Sequence, residues 1–141
     1  MIINFILVGL GSIFGAIFRY ALTLIIKNPN FPFSMLIINA LGSFVIGFVS
    51  ILFRENIHLY AFLSVGILVG FTSFSTFSLD TILMFENGKI PLGFLNIFLS
   101  ILTCLILCFF GRKLGMIIFK VWYINYLINS LIYKVLNYFY L

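Results

Sequence analysis

Four stretches of this chain carry no charged side chain: residues 1–18, 28–53, 59–79 and 90–111. An α-helix needs about 20 predominantly apolar residues to cross the hydrocarbon core of a bilayer. Within that core only helices and closed barrels satisfy their own backbone hydrogen bonds. The spacing therefore predicts an all-α integral membrane protein with four transmembrane helices. Only 8% of the residues are charged, against roughly a quarter in soluble domains. The first run does not read as a cleaved signal peptide, because it has no basic leader or small-residue cleavage site and Arg19 follows it closely. It reads as a retained helix near residues 3–26.

The breaks between runs are turns. "KNPNFPF" (27–33) holds two prolines and two asparagines, and "ENGKIP" (86–91) holds Asn-Gly and a proline. A second helix is expected from Ser34 to Phe53, "RENIH" (54–58) as a polar turn, a third apolar run to Phe85, and a fourth helix ending around Gly111. That gives a membrane domain over 1–111 and a basic, aromatic tail over 112–141. In the tail Lys120, Ser130, Lys134 and Asn137 fall within about 100° on a helical wheel, and Trp122, Tyr123 and Tyr126 suit an interface. A helix lying on the membrane surface is expected there.

Several function classes lose ground. The three acidic residues, Glu55, Asp80 and Glu86, all avoid the middle of an apolar run, where proton-coupled transporters place a carboxylate or histidine relay. His58 has no Cys or carboxylate companions and reads as a surface residue rather than a metal ligand. No nucleophile has a base at motif spacing, so an enzyme is not expected. Nucleic-acid binding needs a basic, wettable face, which is missing here. The net charge of +5 instead suits membrane orientation and contact with anionic lipid. Cys104 and Cys108 share a helix face, a poor geometry for a disulfide, and read as small packing residues. "GLGSIFG" has the wrong spacing and context for a dinucleotide fingerprint.

The polar residues inside the runs are the candidates for function. Gly11 and Gly15, with Ser12 and Ala16 beside them, repeat at the spacing that lets helix backbones approach in lipid. Arg19 continues that face, either snorkelling to the interface or facing a wet vestibule that attracts anions. Asn39, Ser43 and Ser50 share a stripe, as interhelical glue or as donors to something passing. "GFTSFSTFS" (70–78) places five hydroxyls in seven residues. They cannot all face one surface or bond the preceding carbonyls. A helix break in the protein interior is expected, freeing carbonyls that suit a small cation. Phe74 and Phe77 are three apart, and their positive ring edges beside hydroxyl donors suit a small anion. Ordinary core filling by two phenylalanines remains the alternative.

"GAIFRY" (15–20), "NALGSFVIG" (39–47) and "GFTSFSTFS" (70–78), in this order on successive short spans, resemble the Fluc (CrcB) fluoride channels. The resemblance covers roughly residues 5–111, with "LNIFLS" (95–100) a looser match. It departs at Val69-Gly70, where members commonly have Gly-Gly, at Thr72-Ser73 in place of Thr-Thr, and at Asn96, where many have tyrosine. The resemblance implies an antiparallel dimer with two narrow fluoride pores in the plasma membrane. It implies a broken third helix whose Val69 and Thr72 carbonyls hold a central Na⁺. Phe74 and Phe77 would line the pores, with Asn39 the pore asparagine, Ser75 and Thr76 part of a polar track with Ser43 nearby, and Arg19 the vestibule arginine. The implied function is export of fluoride trapped in the cell after HF has entered.

Two rival readings are a small multidrug exporter, which would need a carboxylate in mid-span, and a non-transporting assembly subunit whose polar residues are glue. Orientation rests on charge. Arg54, Arg112 and Lys113 face the terminal side, against Lys27 and Lys89 opposite, and Lys120 and Lys134 raise the terminal side to five. Termini-inside is preferred, and a dual-topology homodimer is expected over pairing with a paralogue.

Overall fold

The computed structural model describes residues 2–139, with side chains from Ile2 to Leu131. The architecture among these residues is wholly helical. Helix α1 spans Ile2–Ile25 and α2 Phe33–Leu52. The third crossing is composite: α3 (Ile57–Tyr60), a π-helical segment (Ala61–Leu68), α4 (Val69–Phe71), an extended break, and α5 (Phe74–Glu86). Helix α6 runs from Ile90 to Phe139. Four of these crossings are long and apolar enough to span a membrane, as the charge-free runs require.

Local chemistry sets the ends. In the first loop the Asn28 Oδ1 accepts from the backbone N–H groups of Asn30 and Phe31, at 2.9 and 3.1 Å. The Asn56 side chain caps α3 by accepting from Leu59 N–H at 3.0 Å. His58, expected in the preceding turn, therefore sits in the first turn of α3, with its Nδ1 2.7 Å from Asn4 Oδ1. Gly88 takes φ +73°, a left-handed conformation that glycine adopts without a Cβ clash. It closes the turn into α6.

Packing follows the small residues. A Cβ placed on Gly11 would lie 2.9 Å from Gly66 Cα, and one on Gly70 would lie 2.9 Å from Ser12 Cα. At Gly15 it would run into the Ile67 carbonyl. Helix α1 thus lies backbone to backbone against the π segment and α4, with Ser12 Oγ donating to Gly66 O at 3.4 Å. On the other side α6 packs on α2, with Gly47 against the Cys108 carbonyl, Gly111 against the Phe44 carbonyl and Gly115 against Phe48 and Ile51. The buried apolar cluster is small, Met35, Ile38 and Phe77 with Leu22, Phe71 and Ile97 around it. Most large apolar side chains point outward, as expected where lipid is the solvent.

Two features differ from the sequence reading. The π segment has no compositional marker, and the sequence pointed only to a break within the hydroxyl-rich stretch 70–78. The fourth helix does not stop near Gly111. Gly111 and Gly115 serve as contact points against α2, and α6 continues unbroken into the tail. Of the wheel residues named for that tail, the Lys134 and Asn137 side chains lie outside the described set.

Candidate functional site: the helix break and the cleft beside it

The third crossing breaks at two residues, Thr72 (φ −84°, ψ 157°) and Ser73 (φ −150°, ψ 105°). The hydroxyls of "GFTSFSTFS" meet the consequences one by one. Thr72 Oγ1 donates back to Leu68 O at 2.9 Å and seals the end of α4. Ser73 Oγ caps α5 by accepting from Thr76 N–H at 3.1 Å. The same Oγ lies 2.7 Å from Thr76 Oγ1 and 3.3 Å from Ser75 Oγ. Ser78 Oγ donates to Phe74 O at 2.9 Å. The crowding of hydroxyls therefore stops one helix and starts the next at membrane depth, where water is not available to do so.

Asn39 of α2 holds the break from outside. Its Nδ2 donates to Ser73 O at 3.2 Å, and Ser73 N–H donates to its Oδ1 at 2.8 Å. The amide thus pairs with the N–H and C=O of Ser73 as a neighbouring strand would. One N–H of Asn39 is left over, since a primary amide carries two. With Ser73 N–H given to Asn39 and Thr76 N–H given to Ser73 Oγ, the carbonyls of Val69 and Thr72 lose the donors that a continuous helix would supply. Arg19 NH1 donates to Thr72 O at 3.3 Å. The arginine is half-buried at the break, rather than stretched to the end of α1.

Beside the break lies a cleft of about 380 Å³. Asn39, Gly42 and Ser43 of α2, Thr72, and Phe74 and Phe77 of α5 form one wall; Ser100 and Cys104 of α6 face them. None of the lining side chains is charged. The two rings are 5.3 Å apart between centroids and tilted by 47°. Phe77 is 8% exposed and anchored in the core, whereas Phe74 is 75% exposed and projects outward. Five of the residues expected at the site, Asn39, Ser43, Thr72, Phe74 and Phe77, are thus brought together around one cavity. Ser75 and Thr76 are not among its lining residues; they support the cap of α5. Arg19 reaches the same break from behind.

The fourth helix contributes more than its sequence suggested. Asn96 is 1% exposed; its Nδ2 donates to Thr81 Oγ1 at 2.9 Å, and Thr81 Oγ1 donates to Phe77 O at 2.8 Å. Ser100 Oγ donates to Asn96 Oδ1 at 3.4 Å. A buried polar chain therefore runs from the cleft-lining Ser100 to the backbone of Phe77, and fixes the ring that the cleft depends on. The repeat Asn96, Ser100, Cys104 at four-residue spacing was the available signal. Cys104, read as a packing residue, lines the cleft instead.

A Na⁺ requires several hard oxygen ligands. The Val69 and Thr72 carbonyls, without their i+4 donors, are of the right chemistry, with one lone pair of Thr72 O engaged by Arg19. One chain offers two such carbonyls and a symmetry-related copy would offer two more. The donor set fits a small cation on that condition.

A polar break in mid-membrane, braced by an asparagine and opening on an uncharged cleft with paired rings, is an architecture suited to a small-ion conduit. The family model for CrcB-like proteins, "Camphor Resistance (CrcB)", matches residues 6–112. The chain belongs to the CrcB-like family. Among curated relatives, a protein of Elusimicrobium minutum described as "Fluoride-specific ion channel FluC" is 40% identical over 119 residues, covering 82% of this chain and 95% of the relative. Proteins of the same description from Ruminiclostridium cellulolyticum and Methanocaldococcus jannaschii are 44% and 36% identical, covering 80% and 85% of this chain and 92% and 100% of the relatives.

Proposed function

We propose that this chain is a subunit of a passive, fluoride-selective channel, not an enzyme, that lets F⁻ leave the cell through the plasma membrane. The observation that carries this reading is the composition of the cleft: the Asn39 amide with one N–H left over, the Ser43 hydroxyl, and the rings of Phe74 and Phe77, with no charged side chain among the lining residues. Fluoride is a small, strongly hydrated acceptor. Donors and positive ring edges replace its water, and a carboxylate would repel it. Relatives described as fluoride-specific channels support the same reading.

Phe74 leaves most of its ring exposed beside Phe77, a surface that a second copy would cover. Two chains in antiparallel orientation place two breaks at one centre and leave one cleft on each side. There the Val69 and Thr72 carbonyls would hold Na⁺, whose charge offsets the anions passing nearby. Asn39 orients and donates, Ser43 continues the donor line, Ser100 holds Asn96, and Phe77 holds the ring geometry. Ser75 and Thr76 stabilise the break that all of these share. A homodimer requires only this chain, inserted both ways.

The test is flux. Vesicles holding the purified protein, loaded with fluoride and given a K⁺ leak, are expected to lose fluoride rapidly and to retain chloride. Loss of both ions at one rate, or of neither, overturns the proposal, and the latter outcome would favour a non-transporting assembly role.

A further inference from the structure

We propose that the part of α6 beyond Gly115, with Arg54 and Arg112 at its root, is a docking surface for anionic phospholipid headgroups on the terminal side of the membrane. The apolar stretch of α6, Ile90–Leu131, has 42 residues. At 1.5 Å per residue it is about 63 Å long, twice the roughly 30 Å of a hydrocarbon core. Gly115 is its last small contact with α2, against Phe48 and Ile51, next to the end of α2 at Leu52. The remainder has left the bundle. Of the sixteen residues from Met116 to Leu131, twelve are large apolar or aromatic side chains exposed by 38% or more. Water does not tolerate such a surface.

Three observations select the occupant. The rings of Phe119, Trp122, Tyr123 and Tyr126 stack along the helix, with centroids 5.8 to 6.4 Å apart, and rings of this kind concentrate at the level of lipid headgroups. No acidic residue follows Glu86 anywhere in the chain, while Arg112, Lys113, Lys120 and Lys134 do. That surface attracts anions and repels a second copy of itself. Where α6 leaves the bundle, Arg54, Arg112, Ser50 and Tyr60 line a cavity of about 390 Å³ that no acidic side chain shares. Arg112 NH1 donates to Ser50 Oγ at 3.4 Å, and guanidinium groups match phosphate oxygens in shape and charge. The antiparallel dimer proposed above strengthens the case, because it sends the two extensions to opposite faces where they cannot cover each other. The docking surface itself does not depend on that dimer.

Trp122 is the only tryptophan of the chain and reports on this segment alone. The full-length protein is reconstituted in phosphatidylcholine vesicles containing a small fraction of dansyl-labelled phosphatidylglycerol or dansyl-labelled phosphatidylcholine. Energy transfer from Trp122 is expected to show about fivefold local enrichment of the anionic lipid, the equivalent of about 1 kcal/mol for one basic side chain at such a surface. High salt should erase the preference in the unsubstituted protein, and Arg54→Gln with Arg112→Gln and Lys120→Gln should abolish it while shallow brominated lipids still quench Trp122. Equal transfer to both labelled lipids, or water-like emission untouched by brominated lipid, overturns the proposal. Quenching that depends on protein density instead of lipid charge assigns the surface to a second copy and also overturns it. Fluoride efflux, read from parallel vesicles, fails or succeeds independently of these signals.

Discussion

Replacing Asn39 by alanine removes both bonds that bind the break to α2, Nδ2 to Ser73 O at 3.2 Å and Ser73 N–H to Oδ1 at 2.8 Å. Ser73 is 7% exposed, so the peptide groups left behind have little access to water. Ser73 O still accepts from Phe77 N–H at 3.4 Å, so the group left without a partner is Ser73 N–H, and an unsatisfied buried donor costs about 1–3 kcal/mol. The adjoining cleft of about 380 Å³ admits some water, which places the expected loss near the lower end, about 1–2 kcal/mol. Asn39→Asp keeps the acceptor for Ser73 N–H but sets an anion against the Ser73 carbonyl, and removes the spare N–H of an amide that lines the cleft. We expect Asn39→Ala to unfold at lower SDS than the unsubstituted protein, and to lose most fluoride flux. For Asn39→Asp we expect a comparable destabilisation and no flux. Stability is read by SDS titration of circular dichroism and flux by fluoride efflux from vesicles. An Asn39→Ala protein with unchanged stability would refute the bracing role. Unchanged flux from the aspartate variant would refute the donor role separately.

Phe74→Ile and Phe77→Ile should both suppress fluoride efflux, but only the second should destabilise the fold, by about 1–2 kcal/mol for a changed shape in a packed cluster, because Phe77 is buried and Phe74 exposed. Normal flux through both would return the rings to core filling. Gly15→Ala should destabilise by about 1–3 kcal/mol or prevent assembly, since its Cβ would enter the Ile67 carbonyl, and an unaffected SDS midpoint would contradict the close contact of α1 with the π segment. A small water-soluble thiol reagent should block efflux through Cys104, which lines the cleft. Block should persist in Cys108→Ser and vanish in Cys104→Ser; persistence in both would place the path elsewhere.

The number of spans, the loop positions and the break were readable from the chain because each is a local property. Absence of charge over 20 or so residues fixes a crossing, and hydroxyls crowded after Gly70 compete with the helix for its own peptide groups. What the break is attached to was not local. Asn39 and Ser73 are 34 residues apart, Arg19 and Thr72 are 53 apart, and the amide of Asn39 read equally well as glue or as a donor until its partner was known. The same holds for Asn96, whose burial at 1% and bond to Thr81 depend on α5 lying against α6. Gly111 and Arg112 suggested a stop because glycine and charge usually end a span. Tertiary contact with Phe44 made Gly111 a packing notch instead, and with no proline or capping group to break the hydrogen-bond ladder α6 continued. Sequence alone determined which segments enter the membrane, since that depends on transfer of each side chain from water. Only the folded structure decided which of their polar groups remain free to meet an ion, since that depends on which partners the other helices bring.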